Sequence, residues 1–246
     1  MKKLLFPLIL LTIVLRAGQA QSFEGILRWK MTTAFADPAV KKQMDEAMKN
    51  LPAEMRSQMA MPTESIIKVR DGNTLTQMDG GMAATVGDVL YLKDKDQSYS
   101  VKRAAKTYWP FPKNEASSNP APTHQVTKTR ETARVMNYLC TKYIIESSQG
   151  GQSITQFVWT STEFKEIDPK VFLDFQKKQS NGIAYWKDIP GVPLKIEMRN
   201  AQFNAVVELV EVKKQKLDEA EFTIPAEFKE TKDPMSGIKD MMNGMK

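Results

Sequence analysis

Cysteine and histidine are almost absent from this chain, which holds one of each, Cys140 and His124, among 246 residues. One cysteine cannot form an internal disulfide, so the fold must depend on its hydrophobic core, and we expect Cys140 to be an inert thiol inside a strand. A catalytic triad or a histidine metal site would need the single imidazole, which lies in a proline-containing loop. Phosphate-binding, dinucleotide and calcium motifs are also missing from the sequence. We therefore predict no enzyme activity, no catalytic or metal-binding residues and no cofactor.

Three carboxylates, Glu163, Glu166 and Asp168, lie close together in the sequence. Asp168 is followed by Pro169, and this pair predicts the N-cap and the first position of a helix. The two glutamates then belong to a solvated loop before that helix rather than to an acid–base pair.

Long hydrophobic runs are missing too, apart from Leu4–Leu15 near the start of the chain. Lys2 and Lys3 precede this run and small residues ending at Ala20 follow it, so residues 1–20 are predicted to be a signal peptide. A buried core helix or a membrane anchor is the alternative. No later segment is long and apolar enough to cross a membrane. No cysteine directly follows the leader, so a lipid anchor on a new N-terminal cysteine is not expected. We expect an exported, periplasmic protein without a transmembrane segment.

The excess of basic residues comes partly from this leader. Residues 1–20 hold three of the 35 basic residues and none of the 29 acidic ones, so their removal lowers the formal net charge from +6 to +3. No basic stripe is concentrated elsewhere in the sequence. We therefore expect no nucleic-acid partner.

Short segments with alternating apolar and polar residues make up most of the remaining chain. In 194–199, three apolar residues alternate with charged ones, which indicates a half-buried strand. Trp29 lies on the apolar side of a strand predicted over 23–35, and Trp159 on that of a strand predicted over 154–160. Further strands are predicted at 63–69, 74–78, 86–92, 99–101, 126–136, 137–147 and 203–212, with turns at 70–73, 94–96 and 149–152 and a loop at 113–124. This spacing predicts a mainly β fold with a few helices, an antiparallel meander in one domain over residues 21–230.

One segment between the first two strands has a helical period instead. Asp37 and Pro38 favour a helix start, and Pro52 breaks or bends it, so residues 38–60 are predicted to form two short helices or one kinked helix. Its apolar residues recur at three- and four-residue spacing, and they are Val40, Met44, Met48, Leu51, Met55 and Met59. The stripe is either the core side of a helix packed on the sheet or a surface for apolar ligands, because methionine re-packs around partners of different shape.

Two other apolar segments allow more than one interpretation. The aromatic–proline strip Tyr108–Pro112 is predicted to cap the open end of the β core, with a sugar-stacking platform or a docking strip as alternatives. The tail over residues 231–246 is rich in methionine and is predicted to be disordered. If ordered, it would offer a second apolar surface.

Several motifs in a fixed order give a resemblance to a known family. They are KTRETARVMNYLCTKYIIE (128–146), FVWTSTEF (157–164), IPGVPLKIEMR (189–199) and AEFTIPAEF (220–228), after a strand–turn–strand at 65–78. The chain resembles a family of exported domains of Gram-negative bacteria that is described as a domain of unknown function. This family is similar in its predicted architecture to the periplasmic lipoprotein carriers and receptors of the LolA/LolB type.

The resemblance implies a strongly curved antiparallel sheet, a half-barrel, that is closed by a helical lid over an apolar cavity. The segment 38–60 takes the place of the early lid helix of the carriers, although no arginine is placed as theirs is, so lipoprotein transport is not implied. We predict a non-catalytic binding protein that holds a lipid, an acyl chain or another apolar ligand between sheet and lid. The predicted ligand-binding residues are Met44, Met48, Leu51, Met55 and Met59 from the lid and Trp29 and Trp159 from the sheet.

The alternative prediction belongs to another class of function. The chain would be an envelope protein-interaction or structural module without a small ligand. Such a module would dock its partner on the aromatic–proline strip or by strand addition to an exposed edge of the sheet.

Overall fold

The structure is a computed structural model that describes residues 23–81, 86–112, 123–149, 152–167, 188–200 and 203–233. The predicted signal peptide, the helix predicted from Asp168, the middle of the turn at 149–152, residues 113–122 and the tail beyond residue 233 lie outside these ranges. The strands are β1 (Gly25–Phe35), β2 (Glu64–Arg70), β3 (Asn73–Met78), β4 (Asp88–Leu92), β5 (Gln97–Lys102), β6 (Thr107–Pro110), β7 (Thr123–Val135), β8 (Tyr138–Gln149), β9 (Gln152–Ser161), β10 (Val192–Arg199), β11 (Phe203–Lys214) and β12 (Lys229–Glu230). The α-helices are α1 (Pro38–Lys49) and α2 (Ala53–Met59), and the segments Lys93–Lys95 and Glu219–Phe222 are short 3₁₀ helices.

All of these strands join one open, curved sheet in the order β12-β6-β5-β4-β3-β2-β1-β11-β10-β9-β8-β7. Its neighbouring strands are antiparallel, except that β12 runs parallel to β6. The first strand, β1, lies inside the sheet, where it pairs with β2 on one side and with β11 on the other. The prediction of a mainly β, antiparallel fold with few helices is confirmed.

Two tight turns show how the sequence sets the hairpins. Between β2 and β3, Asp71 and Gly72 have φ values of 52° and 83°. Positive φ at both central residues is the requirement of the turn whose twist suits a hairpin, so the turn predicted at 70–73 is confirmed. Between β7 and β8, Met136 and Asn137 have φ values of 49° and 68°. This turn falls on the predicted boundary between two strands, although it holds no glycine.

The strand register assigns side chains to two faces of the sheet, because paired residues share a face and successive residues alternate. On the face that carries Trp29, the row that begins at Leu27 continues through Ile67, Thr76, Val89, Ser100 and Trp109. We call it the Trp29 face. On the opposite face, the Ile26 face, a row runs from Ile26 through Lys68, Leu75, Leu90 and Tyr99.

A C-terminal strap, residues 215–230, covers the Ile26 face of the first half of the sheet. Its side chains Leu217 and Phe222 are buried in one cluster with Leu75, Leu90 and Val101. Arg70 donates to the carbonyl oxygen of Leu217 at 2.8 Å, and Arg103 donates to that of Glu221 at 2.8 Å. The strap thus supplies both apolar burial and hydrogen bonds to this face.

A second and larger cluster lies in the middle of the sheet, on β1, β2 and β11, and extends to residues of β7, β8 and β10 in the second half. Its buried members are Phe23, Leu27, Trp29, Ile67, Val69, Val135, Cys140, Phe164, Ile167, Val192, Leu194 and Leu209. Cys140 lies inside β8 and is fully buried, as the sequence predicted, and burial raises the pKa of its thiol. Within the described ranges, the core therefore consists of strand residues, strap residues, Phe23 before β1 and residues of the connection between β9 and β10, without a contribution from α1.

Candidate functional site

The methionine-rich segment folds as two helices. The side chain of Asp37 accepts a hydrogen bond from the backbone N–H of Ala39 at 2.7 Å, and Pro38 occupies the first turn. Pro52 separates α1 from α2, because a proline inside a helix removes a hydrogen bond and clashes with the preceding turn. Both predicted boundary signals are confirmed.

The apolar side of α1 is not packed into the core. Val40 and Met44 are exposed by 42% and 39%, and no residue of α1 is buried. Met48 and Leu51 are half-buried, and Met55 of α2 is exposed by 49%. The side chain of Met59 lies outside the described part of the structure. An amphipathic helix normally buries its apolar side, so this exposure disfavours the interpretation of the stripe as ordinary core.

The exposed apolar residues extend beyond the helices. We call the methionine surface the set Phe35, Val40, Met44, Met55, Met61 and Met78, which are six of the nine large hydrophobic residues that the described ranges leave exposed. Five of them belong to the single stretch from the end of β1 to the residues before β2. The sixth, Met78, ends β3 opposite Ser65 of β2. The concentration of exposed large apolar side chains in one stretch of the chain favours a binding surface there.

A clamp at Asp79 fixes the segment to the sheet where the chain returns from the helices. The carboxylate of Asp79 accepts the backbone N–H groups of Thr63 and Glu64, each at 2.7 Å, and the hydroxyl of Thr63. The Thr63 hydroxyl first, and then the backbone N–H of Glu64, lower the pKa of Asp79. Gly81 donates to the carbonyl oxygen of Ala60 at 2.9 Å. The methionine surface is therefore held beside β2 and β3 by polar contacts rather than by buried side chains.

The two tryptophans predicted to bind ligand lie on opposite faces of the sheet. Trp29 pairs with Ser65 and Leu209 on the Trp29 face, and its side chain is 5% exposed. Trp159 pairs with Lys142 and Lys195. Its neighbour in sequence, Val158, pairs with Ile196, which pairs with Val207 on the Trp29 face, so Trp159 points to the other side. The two indoles therefore start from opposite faces of the sheet, although Trp159 packs at the border of the buried cluster that contains Trp29.

Trp159 instead belongs to a surface of cations and aromatic rings. The ammonium of Lys142 lies 4.7 Å from the ring centre of Phe157 and 5.5 Å from that of Trp159. On the neighbouring strand β10, the carboxylate of Glu197 forms ion pairs with Lys195 at 2.9 Å and with Arg199 at 3.2 Å. Burial alone would raise the pKa of Glu197, but these ion pairs outweigh it and lower the pKa. Carboxylates offset the cations here, so the surface is not strongly basic.

The Trp29 face holds polar groups that the sequence analysis missed. The hydroxyl-bearing residues Ser65, Thr74, Thr76 and Ser100 are buried on it. The indole N–H groups of Trp29 and Trp109 on this face, like that of Trp159 on the other, are buried and have no hydrogen-bond partner among the described residues. Unsatisfied buried donors are uncommon in folded proteins. The alternation of Thr74 and Thr76 with the apolar Leu75 was the available signal, because it places two hydroxyls on one side of a strand.

The other groups considered for chemistry are dispersed. His124 is the second residue of β7, so its predicted position in the loop at 113–124 is wrong; it lies 4.0 Å from the carboxylate of Asp188. Glu166 pairs with Lys214 at 3.0 Å. Asp168 lies outside the described residues. Across the described ranges, no three His, Cys, Asp or Glu residues are grouped so that they could hold a metal ion. None of the helices in these ranges has the length and hydropathy needed to cross a membrane.

Comparison with known families assigns strands β1 to β11 to one group. The family described as "Domain of unknown function (DUF4412)" matches residues 23–228. The chain belongs to the DUF4412 family. The predicted membership in a family of unknown function is confirmed, whereas the further likeness to the LolA/LolB carriers stays a prediction.

The remaining comparisons concern single proteins. No curated protein matches the sequence. Among solved structures, the DUF4412 chain is similar to PNGF-II in a C2 crystal form, with 15% sequence identity and a TM-score of 0.40. The match covers 89% of this chain and 32% of PNGF-II, so the chain spans about a third of that protein's length.

Proposed function

We propose that this DUF4412 protein is a non-catalytic binding protein for the acyl chain of a lipid or a similar apolar ligand, and that it acts in the periplasm after removal of residues 1–20. The observation that carries the proposal is the exposed apolar side of α1. An amphipathic helix whose methionines are exposed or half-buried, and which contributes nothing to the core, has an unoccupied apolar side.

The proposed site lies between the methionine helices and the Trp29 face, as in a half-barrel closed by a helical lid. Met44, Met48, Leu51, Met55 and Met59 would contact the chain from the lid, and Trp29 from the sheet. The buried indole N–H groups of Trp29 and Trp109, which have no partner among the described residues, support a ligand with a polar end, because they can donate to a carboxyl or ester oxygen. Trp159 is left out of this site, since it lies on the opposite face.

The expected affinity is moderate. Each buried CH₂ contributes about 0.8 kcal/mol, and a single myristoyl chain binds a membrane with a constant of only about 10⁴ M⁻¹. A lid that encloses most of the acyl chain would raise the binding constant above this value, while the entropy lost on ordering the two helices would lower it. We expect dissociation constants of roughly 1–100 μM for a fourteen-carbon fatty acid.

The alternative, partner binding by strand addition, has less support at the two edges of the sheet. β7 is long, but its register shifts between Lys128 and Thr132. The extra residues are held by a hydrogen bond from the Thr129 hydroxyl to the Lys142 carbonyl at 3.0 Å and by a Lys142–Glu131 ion pair at 2.9 Å. At the other edge, β12 pairs only two residues with β6. Bulges, charged side chains and very short strands are the features that oppose edge-to-edge pairing.

Titration of the protein with myristate, followed by calorimetry and by thermal unfolding, tests the proposal. The variant Met44→Gln/Met55→Gln should weaken binding by roughly tenfold or more, since it replaces apolar contact surface by amides. Leu139→Gln is the matched control, because Leu139 is 45% exposed in β8, outside the methionine surface. It should bind myristate as the native protein does.

The results separate the candidate functions. Saturable binding that depends on Met44 and Met55 and raises the melting temperature supports the carrier function. A native protein that neither binds nor is stabilised by myristate or by longer fatty acids refutes it. Equal losses in the methionine variant and in Leu139→Gln would show unspecific adsorption to exposed apolar residues.

A further inference from the structure

The methionine surface places several thioether sulfurs within reach of solutes. Met44, Met55, Met61 and Met78 are exposed by 39%, 49%, 56% and 39%. The other described methionines, Met31, Met48, Met136 and Met198, are half-buried. Oxidation of methionine follows the exposure of the sulfur, so these four should react first among the methionines whose side chains the structure describes.

No accessible thiol competes with them. Cys140 is the only cysteine of the chain, and it is fully buried inside β8. Burial also raises the pKa of its thiol, which keeps the reactive thiolate scarce. A peroxide that meets the folded protein therefore encounters the exposed thioethers before it encounters the thiol.

We propose that Met44, Met55, Met61 and Met78 form a reversible oxidation site, and that their conversion to sulfoxides by hydroperoxides releases the apolar ligand. The inference rests on the proposed function and adds a regulation of the same site. A sulfur lone pair attacks the peroxide, the O–O bond breaks, an S–O bond forms and the remaining oxygen leaves as water or an alcohol. The sulfur loses two electrons to the peroxide. A thiol-dependent sulfoxide reductase reverses the step.

The effect on binding follows from the change in polarity. A sulfoxide turns a flexible apolar side chain into a polar one, which costs free energy if it must face an acyl chain. The affinity for myristate should fall roughly tenfold for each sulfoxide at Met44 or Met55, which belong to the proposed ligand site, while oxidised Met61 and Met78 make the surface beside it polar. The core should keep its structure, because none of the four side chains is buried in it.

The test follows oxidation and binding in the same samples. The protein is treated with increasing hydrogen peroxide, the sites are mapped by peptide mass spectrometry, and myristate binding is measured before and after. The variant Met44→Leu/Met55→Leu/Met61→Leu/Met78→Leu removes the sulfurs and keeps apolar side chains. Each protein is compared with its own untreated sample, so the starting affinity of the variant does not matter. Sulfoxide reductase with dithiothreitol is then added to the oxidised native protein.

The inference predicts that the four sites oxidise before Met198, that the native protein loses affinity and the leucine variant does not, and that the reductase restores binding. It is overturned if the four react no faster than Met198, or if binding survives their complete oxidation. The absence of binding in the untreated native protein would instead refute the proposed function, and this inference with it, before any peroxide is added.

Discussion

Truncation of Met44 to alanine should leave the free energy of unfolding almost unchanged, whereas the same truncation at Leu209 should lower it by several kcal/mol. Met44 is 39% exposed on a helix without buried residues, and surface substitutions of this kind usually change stability by no more than about 0.5 kcal/mol. Leu209 is 1% exposed and lies opposite Trp29 in the core. A buried leucine replaced by alanine costs about 2–5 kcal/mol, since it loses apolar burial and leaves a cavity.

Urea unfolding monitored by tryptophan fluorescence measures this difference. With a denaturant slope of about 2–3 kcal/mol/M, a loss of 3 kcal/mol lowers the midpoint by about 1–1.5 M, and a change of 0.5 kcal/mol moves it by only about 0.2 M. Leu139→Ala gives the matched exposed control, because Leu139 is 45% exposed on a strand. It should behave like Met44→Ala.

One result would refute the reasoning about the helix. If Met44→Ala lowered stability by more than about 1.5 kcal/mol, the stripe would be part of a packed interior, because exposed sites do not respond so strongly. The main support for a ligand surface would then be lost. A small effect at Leu209 would mean instead that the assignment of the core is wrong.

Three further predictions concern single positions. Asp79 has a lowered pKa in the folded state, so its contacts with Thr63 and Glu64 stabilise the fold fully above the unfolded carboxyl pKa, and this contribution is lost as pH falls through the folded pKa. Asp79→Asn should therefore flatten the acid limb of stability measured against pH, and an unchanged limb would exclude the clamp as its source. Gly191 has a φ of 85°, and a Cβ there would lie 2.5 Å from the carbonyl oxygen of Ser161. Gly191→Ala should therefore cost roughly 1–3 kcal/mol in urea unfolding, and a neutral result would contradict the tight approach. Cys140 should react with a thiol reagent only when the protein unfolds, as burial and its raised pKa both require. Rapid modification of the native protein would contradict its buried position.

Local signals in the sequence were sufficient for α1, α2 and the turn at 70–73. Asp37, Pro38 and Pro52 act within a few residues, and they set the start of α1 and its separation from α2. Asp71 and Gly72 fix a hairpin for the same reason, since the backbone conformation of a tight turn depends on its own residues. The alternation within each strand also showed correctly which of its residues share a side.

The site could be predicted only in part, because matching one strand to another depends on distant pairing. Alternation placed Trp29 and Trp159 on the apolar side of their own strands, but only the full register through β11, β10 and β9 shows that these sides are opposite. The exposure of α1 was equally hidden, since an amphipathic stripe has the same period whether it meets a core or a ligand. The strap over residues 215–230 has neither the apolar period of a helix nor that of a strand, so no pattern in the sequence predicted that it would cover the sheet.

The position of β1 inside the sheet has a consequence for how the protein is made. Its partner β11 ends at Lys214, opposite Gly25. One side of the first strand therefore cannot pair until nearly the whole chain has been synthesised. Contacts between residues so far apart in sequence form slowly, because a long loop must close first. Until residues 203–214 are available, β1 offers an open edge with Leu27 and Trp29 beside it, and β10 offers another. Folding of this sheet is therefore completed late, by its last long strand, and chains cut short before residue 203 should aggregate rather than accumulate as a stable half.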